Sequence, residues 1–274
     1  MAVSHQAKVP VAGPLITLLT DFGERDYFVA SMKGVILSIH PDARIVDLSH
    51  QIAPHQIEEA AYVLRSCYHY FPEGTVHVAI VDPGVGTVRR PLLASSSKYH
   101  FLAPDNGLLT RVLRNEQDVT IRQVDYAAYR RDAEGATFDG RDLFAPAAAW
   151  LAKGKPVASF GQVIDDPVTL PLHEPKWQGD ALVGRIEYVD RFGNLISNVT
   201  PRHLQELKRL AGRESLTIRI AGRMVEGLVA SYSEGIGDMP AALINSGGKL
   251  EVFLSKKSAA AQLSLGVGAE IKVG

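Results

Sequence analysis

Leu15-Ile16-Thr17-Leu18-Leu19-Thr20 runs directly into Asp21-Phe22-Gly23. A short run of apolar and β-branched residues closed by a turn reads as a strand buried on both faces, with a loop at its C-terminal end. Residues 26–39 follow with Phe28, Met32, Val35, Ile36 and Ile39 at helical spacing, and His40-Pro41 stops the helix. Residues 44–48 read as a second strand and residues 56–70 as a second helix. Gly74-Thr75-Val76-His77-Val78-Ala79-Ile80-Val81 reads as a third strand, ending at Asp82-Pro83-Gly84. Strand, helix, strand, helix, strand is the signature of a mostly parallel sheet covered by helices, so the class is α/β.

Further along, residues 92–95 and 99–103 read as a hairpin. A helix opens at Asn106, and an alanine-rich helix covers residues 142–151. The pattern then changes. Residues 165–180 hold three prolines and few apolar runs, and short strand-like stretches follow at 182–189, 216–220, 241–244 and 250–254, with one helix at 201–210. The expected organisation is a loose tail (1–14), an N-terminal α/β domain (15–170), a linker (171–181) and a smaller C-terminal β-rich, barrel-like domain (182–274).

Composition narrows the function classes. Hydrophobic residues make up 46% and charged residues 22%, which suits a globular protein with a sizeable core. A formal net charge of −1 without a basic run gives no nucleic-acid footprint. No apolar stretch is long enough to span a bilayer, and no signal peptide is apparent, so the expected location is the cytoplasm, with no membrane partner. The one cysteine, Cys67, lies in a helical run and reads as a buried core residue of a reducing compartment. The nine histidines form no close pair, so no metal site is expected. His40, His50, His55 and His69 read as caps, loop or surface residues.

In parallel α/β sheets ligands bind beyond the carboxyl ends of strands. Asp21, Asp82 and Asp105 fall there, although aspartates at such positions also cap helices. Asp82-Pro83-Gly84-Val85-Gly86 permits a tight turn against a ligand, and Arg89 and Arg90 follow. An arginine beside Asp82 would keep that carboxylate ionised; a structural turn with a surface ion pair is the plainer reading. Neither a Rossmann loop, a P-loop nor a serine-hydrolase elbow is present. Asp139 and Asp142 precede the alanine-rich helix, where the helix dipole favours carboxylates whatever their role. Phe192 and Asn194, within Asp190-Arg191-Phe192-Gly193-Asn194, suit the face and polar edge of a heterocycle, or a hairpin turn. Asn245-Ser246-Gly247-Gly248 suits a carboxylate, or an ordinary turn.

Taken in order, Leu19-Thr20-Asp21-Phe22-Gly23, Met32-Lys33-Gly34, Phe71-Pro72-Glu73-Gly74-Thr75-Val76, Val81-Asp82-Pro83-Gly84-Val85-Gly86, Pro104-Asp105-Asn106-Gly107, Gly140-Arg141-Asp142-Leu143-Phe144-Ala145-Pro146, Asp190-Arg191-Phe192-Gly193-Asn194 and Asn245-Ser246-Gly247 resemble the S-adenosylmethionine (SAM) hydroxide adenosyltransferase family. These are adenosine-forming SAM hydrolases, related to the SAM-dependent fluorinase and chlorinase. The resemblance implies hydrolysis of SAM to adenosine and L-methionine by attack of water at ribose C5′, with SAM as substrate and no cofactor. It also implies a homotrimer, with SAM held between the N-terminal domain of one subunit and the C-terminal domain of its neighbour.

By the same resemblance Asp21 holds the ribose hydroxyls, Asn106 lies among the substrate-binding residues, and Asp190 meets the methionine amino group. Phe192 and Asn194 meet adenine, and Ser246 grips the methionine carboxylate. Asp82, Arg89 and the residue at 139 form the set that positions water. The halogenating relatives lack this aspartate, so Asp82 argues against halogenation. Position 139 departs from the family: its hydrolases read Phe-His-Gly-Arg-Asp, and this chain reads Phe138-Asp139-Gly140-Arg141-Asp142. Were Asp139 beside Asp82, two carboxylates would repel and one would tend to hold a proton. The competing expectation is therefore a protein that retains SAM or adenosine with weak or lost turnover.

Overall fold

The computed structural model describes residues 15–211 and 215–274. The tail expected at 1–14 lies outside them. The chain divides into two compact units that meet between Leu170 and Pro171.

The first unit is built on a seven-stranded sheet in the order β2-β1-β3-β5-β4-β6-β7. In chain order its strands are β1 (Leu15–Thr20), β2 (Arg44–Ser49), β3 (Val76–Ile80), β4 (Pro91–Ser95), β5 (His100–Pro104), β6 (Thr120–Gln123) and β7 (Val163–Ile164). Its helices are α1 (Phe28–Ile39), α2 (Ile57–Cys67), α3 (Thr110–Asn115), α4 (Tyr126–Tyr129) and α5 (Ala145–Ala152). Strands β2, β1, β3 and β5 run parallel, and β4, β6 and β7 add an antiparallel edge.

Every residue of β1 is buried, and successive side chains go to opposite faces. Ile16 and Leu18, with Val78 and Ile80 of β3, pack among Met32 and Ile36 of α1 and the small residues of α5. Leu19, Ala79 and Val81 pack on the other face with Leu64 of α2 and Val112 of α3. Helices on both faces explain why these strands read as unbroken apolar runs. Alanines 145 and 147–149 are fully buried, and their lack of side-chain bulk lets α5 lie close against the sheet and α1. The helix begins later than its sequence suggests. Gly140–Phe144 is a π-helical turn, an irregularity that often re-aims side chains at functional sites.

The second unit contains β8 (Lys176–Gln178), β9 (Ala181–Val189), β10 (Leu195–Ser197), β11 (Ile218–Ile220), β12 (Arg223–Leu228), β13 (Ala241–Ile244), β14 (Leu250–Phe253) and β15 (Glu270–Val273). Helices α6 (Pro201–Ala211) and α7 (Ala259–Leu263) lie between them. The order is β10-β14-β13-β12-β11-β15-β9-β8, and an added β9–β10 pairing brings the sheet round into a nearly closed barrel. All its pairings are antiparallel except β12–β13. The barrel-like expectation agrees with this. Lys176–Gln178, read as linker, instead pair with the start of β9 as an exposed edge strand.

Candidate active site

The loop after β3 carries Asp82, and the chain returns through Arg89 before β4. Arg89 Nε donates to Asp82 Oδ2 at 2.8 Å, and its terminal nitrogen NH2 lies 2.5 Å from the same oxygen. That nitrogen also donates to Asp139 Oδ2 at 2.6 Å. The Asp82, Arg89 and Asp139 side chains are only 6%, 10% and 2% exposed, so the plainer reading of a surface ion pair is excluded. Burial works against the Arg89 charge, but the Asp82 and Asp139 carboxylates outweigh it and hold the guanidinium pKa above its usual value.

The two carboxylates therefore do not face each other bare, as position 139 alone suggested. A guanidinium is shared between them. Asp139 makes no side-chain cap to the helical turn it precedes. Its second oxygen, Oδ1, accepts from the Tyr126 hydroxyl at 3.0 Å and lies 3.8 Å from Arg130 Nε. Burial and then the Asp139 carboxylate raise the Tyr126 hydroxyl above the ordinary phenol range. Tyr126 and Arg130 carried no signal in the sequence.

Asp82 Oδ1 is buried without a hydrogen-bond partner. Asp82 helps line a cleft of about 130 Å³, with Phe22, Phe28, Ile80, Phe138 and Asp139 among its walls. Phe22, Phe28 and Phe138 meet edge to face, with centroids 5.2 to 5.9 Å apart, and make that wall rigid and apolar.

Asp21 sits at the end of β1, where its Oδ2 accepts from the His55 backbone N–H at 2.9 Å. The adjoining turn is braced by His50, which is 4% exposed rather than a surface residue. Its Nδ1 meets Thr20 Oγ1 at 2.8 Å, its Nε2 lies 3.1 Å from Asp47, and its carbonyl accepts from Gly23 N. Asn106 is turned into the fold: it donates to the Val81 carbonyl at 2.7 Å and accepts from Leu108 N at 3.2 Å. Asp105 pairs with Arg90 and accepts from Val168 N, a structural role. Asp142 accepts two hydrogen bonds from Arg141, one at each carboxylate oxygen. Cys67 is half-buried rather than core, and burial pushes its thiol pKa up to about 11, which keeps it protonated and unreactive.

In the second unit the Asp190–Asn194 turn joins β9 to β10. Asp190 Oδ1 accepts from Phe192 N and Asn194 N, and Oδ2 accepts from Asn194 Nδ2, each at 2.9 Å. Gly193 has φ +80° and abuts Ser258, so no other residue fits there without strain. Phe192 is thrust outward at 76% exposure. Asp190, Phe192 and Asn194 share a recess of about 970 Å³ with Tyr232, Phe253 and Ser258. The hairpin-turn and heterocycle readings are thus compatible. Tyr232, missed in the sequence, is tied through its hydroxyl to buried Glu251 at 2.7 Å, and Asn245 Nδ2 donates to the other Glu251 oxygen at 2.9 Å. Ser246 is exposed on the turn that Asn245 holds. Among the described residues no cluster of three or more His, Cys, Asp or Glu is spaced to hold a metal, and no helix is long and apolar enough to cross a membrane.

The chain is 35% identical to the (R)-S-adenosyl-L-methionine hydrolase of Thermus thermophilus, over 94% of this chain and 98% of that protein. It is 28% identical to a fluorinase of an Actinoplanes species, over 95% of this chain and 97% of that one. The crystal structure of a conserved, uncharacterised Thermotoga maritima protein superposes with a TM-score of 0.85 at 29% identity, covering 94% of this chain and 99% of that one. The SAM hydroxide adenosyltransferase N-terminal domain matches residues 16–161 and the corresponding C-terminal domain matches residues 184–272. The chain belongs to the SAM hydroxide adenosyltransferase family.

Proposed function

We propose that this protein hydrolyses SAM at ribose C5′ to adenosine and L-methionine, and that Asp82 directs the water. The observation that carries this is the division of labour within one carboxylate. Asp82 Oδ2 is bound by Arg89, while Oδ1 is buried, unpartnered and part of a residue lining a mostly apolar cleft. A water there would donate to Oδ1 and be stripped of competing solvent. Its oxygen attacks C5′ opposite sulfur, the C5′–S bond breaks, and the bonding pair goes to sulfur. The sulfonium becomes the neutral thioether of methionine. The water proton passes to Asp82 and on to solvent, so SAM and water give adenosine, methionine and a proton. Because the leaving group departs neutral, no metal or cofactor is needed to stabilise it.

Asp21 is assigned to the ribose hydroxyls, Asp190 to the methionine amino group, Phe192 and Asn194 to adenine, and Ser246 to the methionine carboxylate. Asn106 has both amide atoms engaged, so it is assigned to holding the strand end before Asp82. Asp139 is assigned to fixing Arg89. That tie favours turnover over a ligand-holding protein. A negative carboxylate facing the cleft disfavours a halide, so halogenation is not favoured either. The homotrimer is supported by the family resemblance, and light scattering should give the mass of three chains. A cytoplasmic location is supported by the protonated, unpaired Cys67.

The relatives' name specifies the (R) epimer at sulfur, and the same preference is expected here. Incubation with a mixture of sulfonium epimers, followed by chromatography and mass spectrometry, should give adenosine and methionine in equal amounts at the expense of the (R) form. Intact SAM would refute the proposal, as would a 5′-halogenated adenosine formed in chloride.

A further inference from the structure

The segment that follows β6 is organised around Asp139. Asp125 Oδ1 accepts from Ala127 N and Ala128 N, which caps α4 and fixes Tyr126 at its first position. The Tyr126 hydroxyl then donates to Asp139 Oδ1. One turn on, the Arg130 guanidinium carbon lies 5.3 Å from the centroid of the Tyr126 ring, and its terminal nitrogen NH2 donates to the Gly135 carbonyl at 2.7 Å. Its Nε faces the same Asp139 oxygen at 3.8 Å, an ion pair without a hydrogen bond. Asp139 thus has Oδ2 on Arg89 and Oδ1 on Tyr126 and Arg130. A carboxylate on two rotatable bonds is held from both sides.

We propose that Tyr126 and Arg130 are positioning residues for the hydrolysis: they clamp Asp139, which clamps Arg89, which turns Asp82 so that Oδ1 stays free for water. This rests on the assignment of Asp82 above. Neither residue touches the water. With the Tyr126 bond removed, Asp139 can swing, and the Arg89 nitrogen it shares with Asp82 loses its second anchor. The cluster of two arginines and two aspartates is charge-balanced, so an aspartate at 139 is suited to a site that also holds Arg130. The aspartate and its clamp work as a set.

The test is Tyr126→Phe, which keeps the ring beneath Arg130 and removes only the hydroxyl. The expected result is a fall in kcat of about tenfold, the scale of one hydrogen bond to a charged group, with KM for SAM unchanged within about twofold. Tyr126→Phe combined with Asp139→Asn should be no slower than Asp139→Asn alone, because the hydroxyl acts only through that carboxylate. The Arg89 Nε–H resonance, assigned with Arg89→Lys, should move in Tyr126→Phe. An unchanged kcat, or losses that multiply in the double variant, would overturn the proposal. If the wild-type protein forms no adenosine, the hydrolysis reading fails, and the clamp is judged by the resonance alone. A shift there supports the clamp, and a resonance that stays in place overturns it.

Discussion

Replacing Asp139 by histidine restores the residue usual in the family's hydrolases, yet the structure predicts harm. Asp139 is 2% exposed and receives Arg89, Tyr126 and, at longer range, Arg130. A neutral imidazole has one acceptor nitrogen and can serve only one of these donors. Removing one partner of a buried ion pair costs about 3–5 kcal/mol. Arg89 keeps Asp82, and Arg130 is 19% exposed with its Nε 3.8 Å away, so the lower end, about 3 kcal/mol, is expected. In a protein of this size that lowers the melting temperature by about 6–12 °C. Turnover should fall about tenfold as Arg89 loosens. Adding Arg130→Met should recover part of the stability by removing the second cation. Calorimetry with steady-state kinetics reads both effects. An Asp139→His protein that is as stable as the wild type and faster would refute this reasoning.

Asp82→Asn should cut kcat by about 10²–10⁴, the usual worth of a positioned base, with little change in SAM binding. Retention of more than a tenth of wild-type turnover would count against Asp82. His77 is fully buried on β3 and bonded to Thr17, and burial, with a smaller contribution from His100, depresses its pKa to about 3. The unfolded chain therefore binds the extra proton below about pH 6.5, so this contribution is intact above that value. It is lost toward pH 3 at up to about 1.4 kcal/mol per unit. Denaturant titrations of His77→Gln should show a shallower loss of stability between pH 6 and 4; an unaltered slope sinks the argument. Gly193→Val should lower melting temperature and weaken SAM binding together, because the strained turn carries Phe192 and Asn194. Unchanged binding by calorimetric titration would separate the turn from the site.

The strands flanked by helices were legible because burial on both faces leaves unbroken runs such as 15–20 and 76–80. The C-terminal strands were harder. Arg223–Leu228 carries charge and a glycine, and Glu270–Val273 alternates over too few residues to stand out. Lys176–Gln178 is an exposed edge whose only structural reason is its partner β9. Asp82, Arg89 and Asp139 were found through local motifs, but how they meet was not, since Asp139 reaches Arg89 from 50 positions away. Tyr126 and Arg130 belong to no motif, and only the fold brings them to Asp139. His50 looked like an ordinary loop residue, although its carbonyl and ring brace the turn beside Asp21 from strand β2's far end. Asn106, expected to meet substrate, also donates to the strand-end carbonyl of Val81, a tie that no local pattern announced.

The most direct test of the central claim, that Asp82 directs water onto C5′, is a single turnover of SAM in ¹⁸O-labelled water with wild-type protein and Asp82→Asn side by side. Label in the 5′-oxygen of adenosine from the wild type, with product formation slowed at least a hundredfold in Asp82→Asn and SAM still bound, is the predicted result. Adenosine without label, label in another product, or equal rates in the two proteins would contradict it.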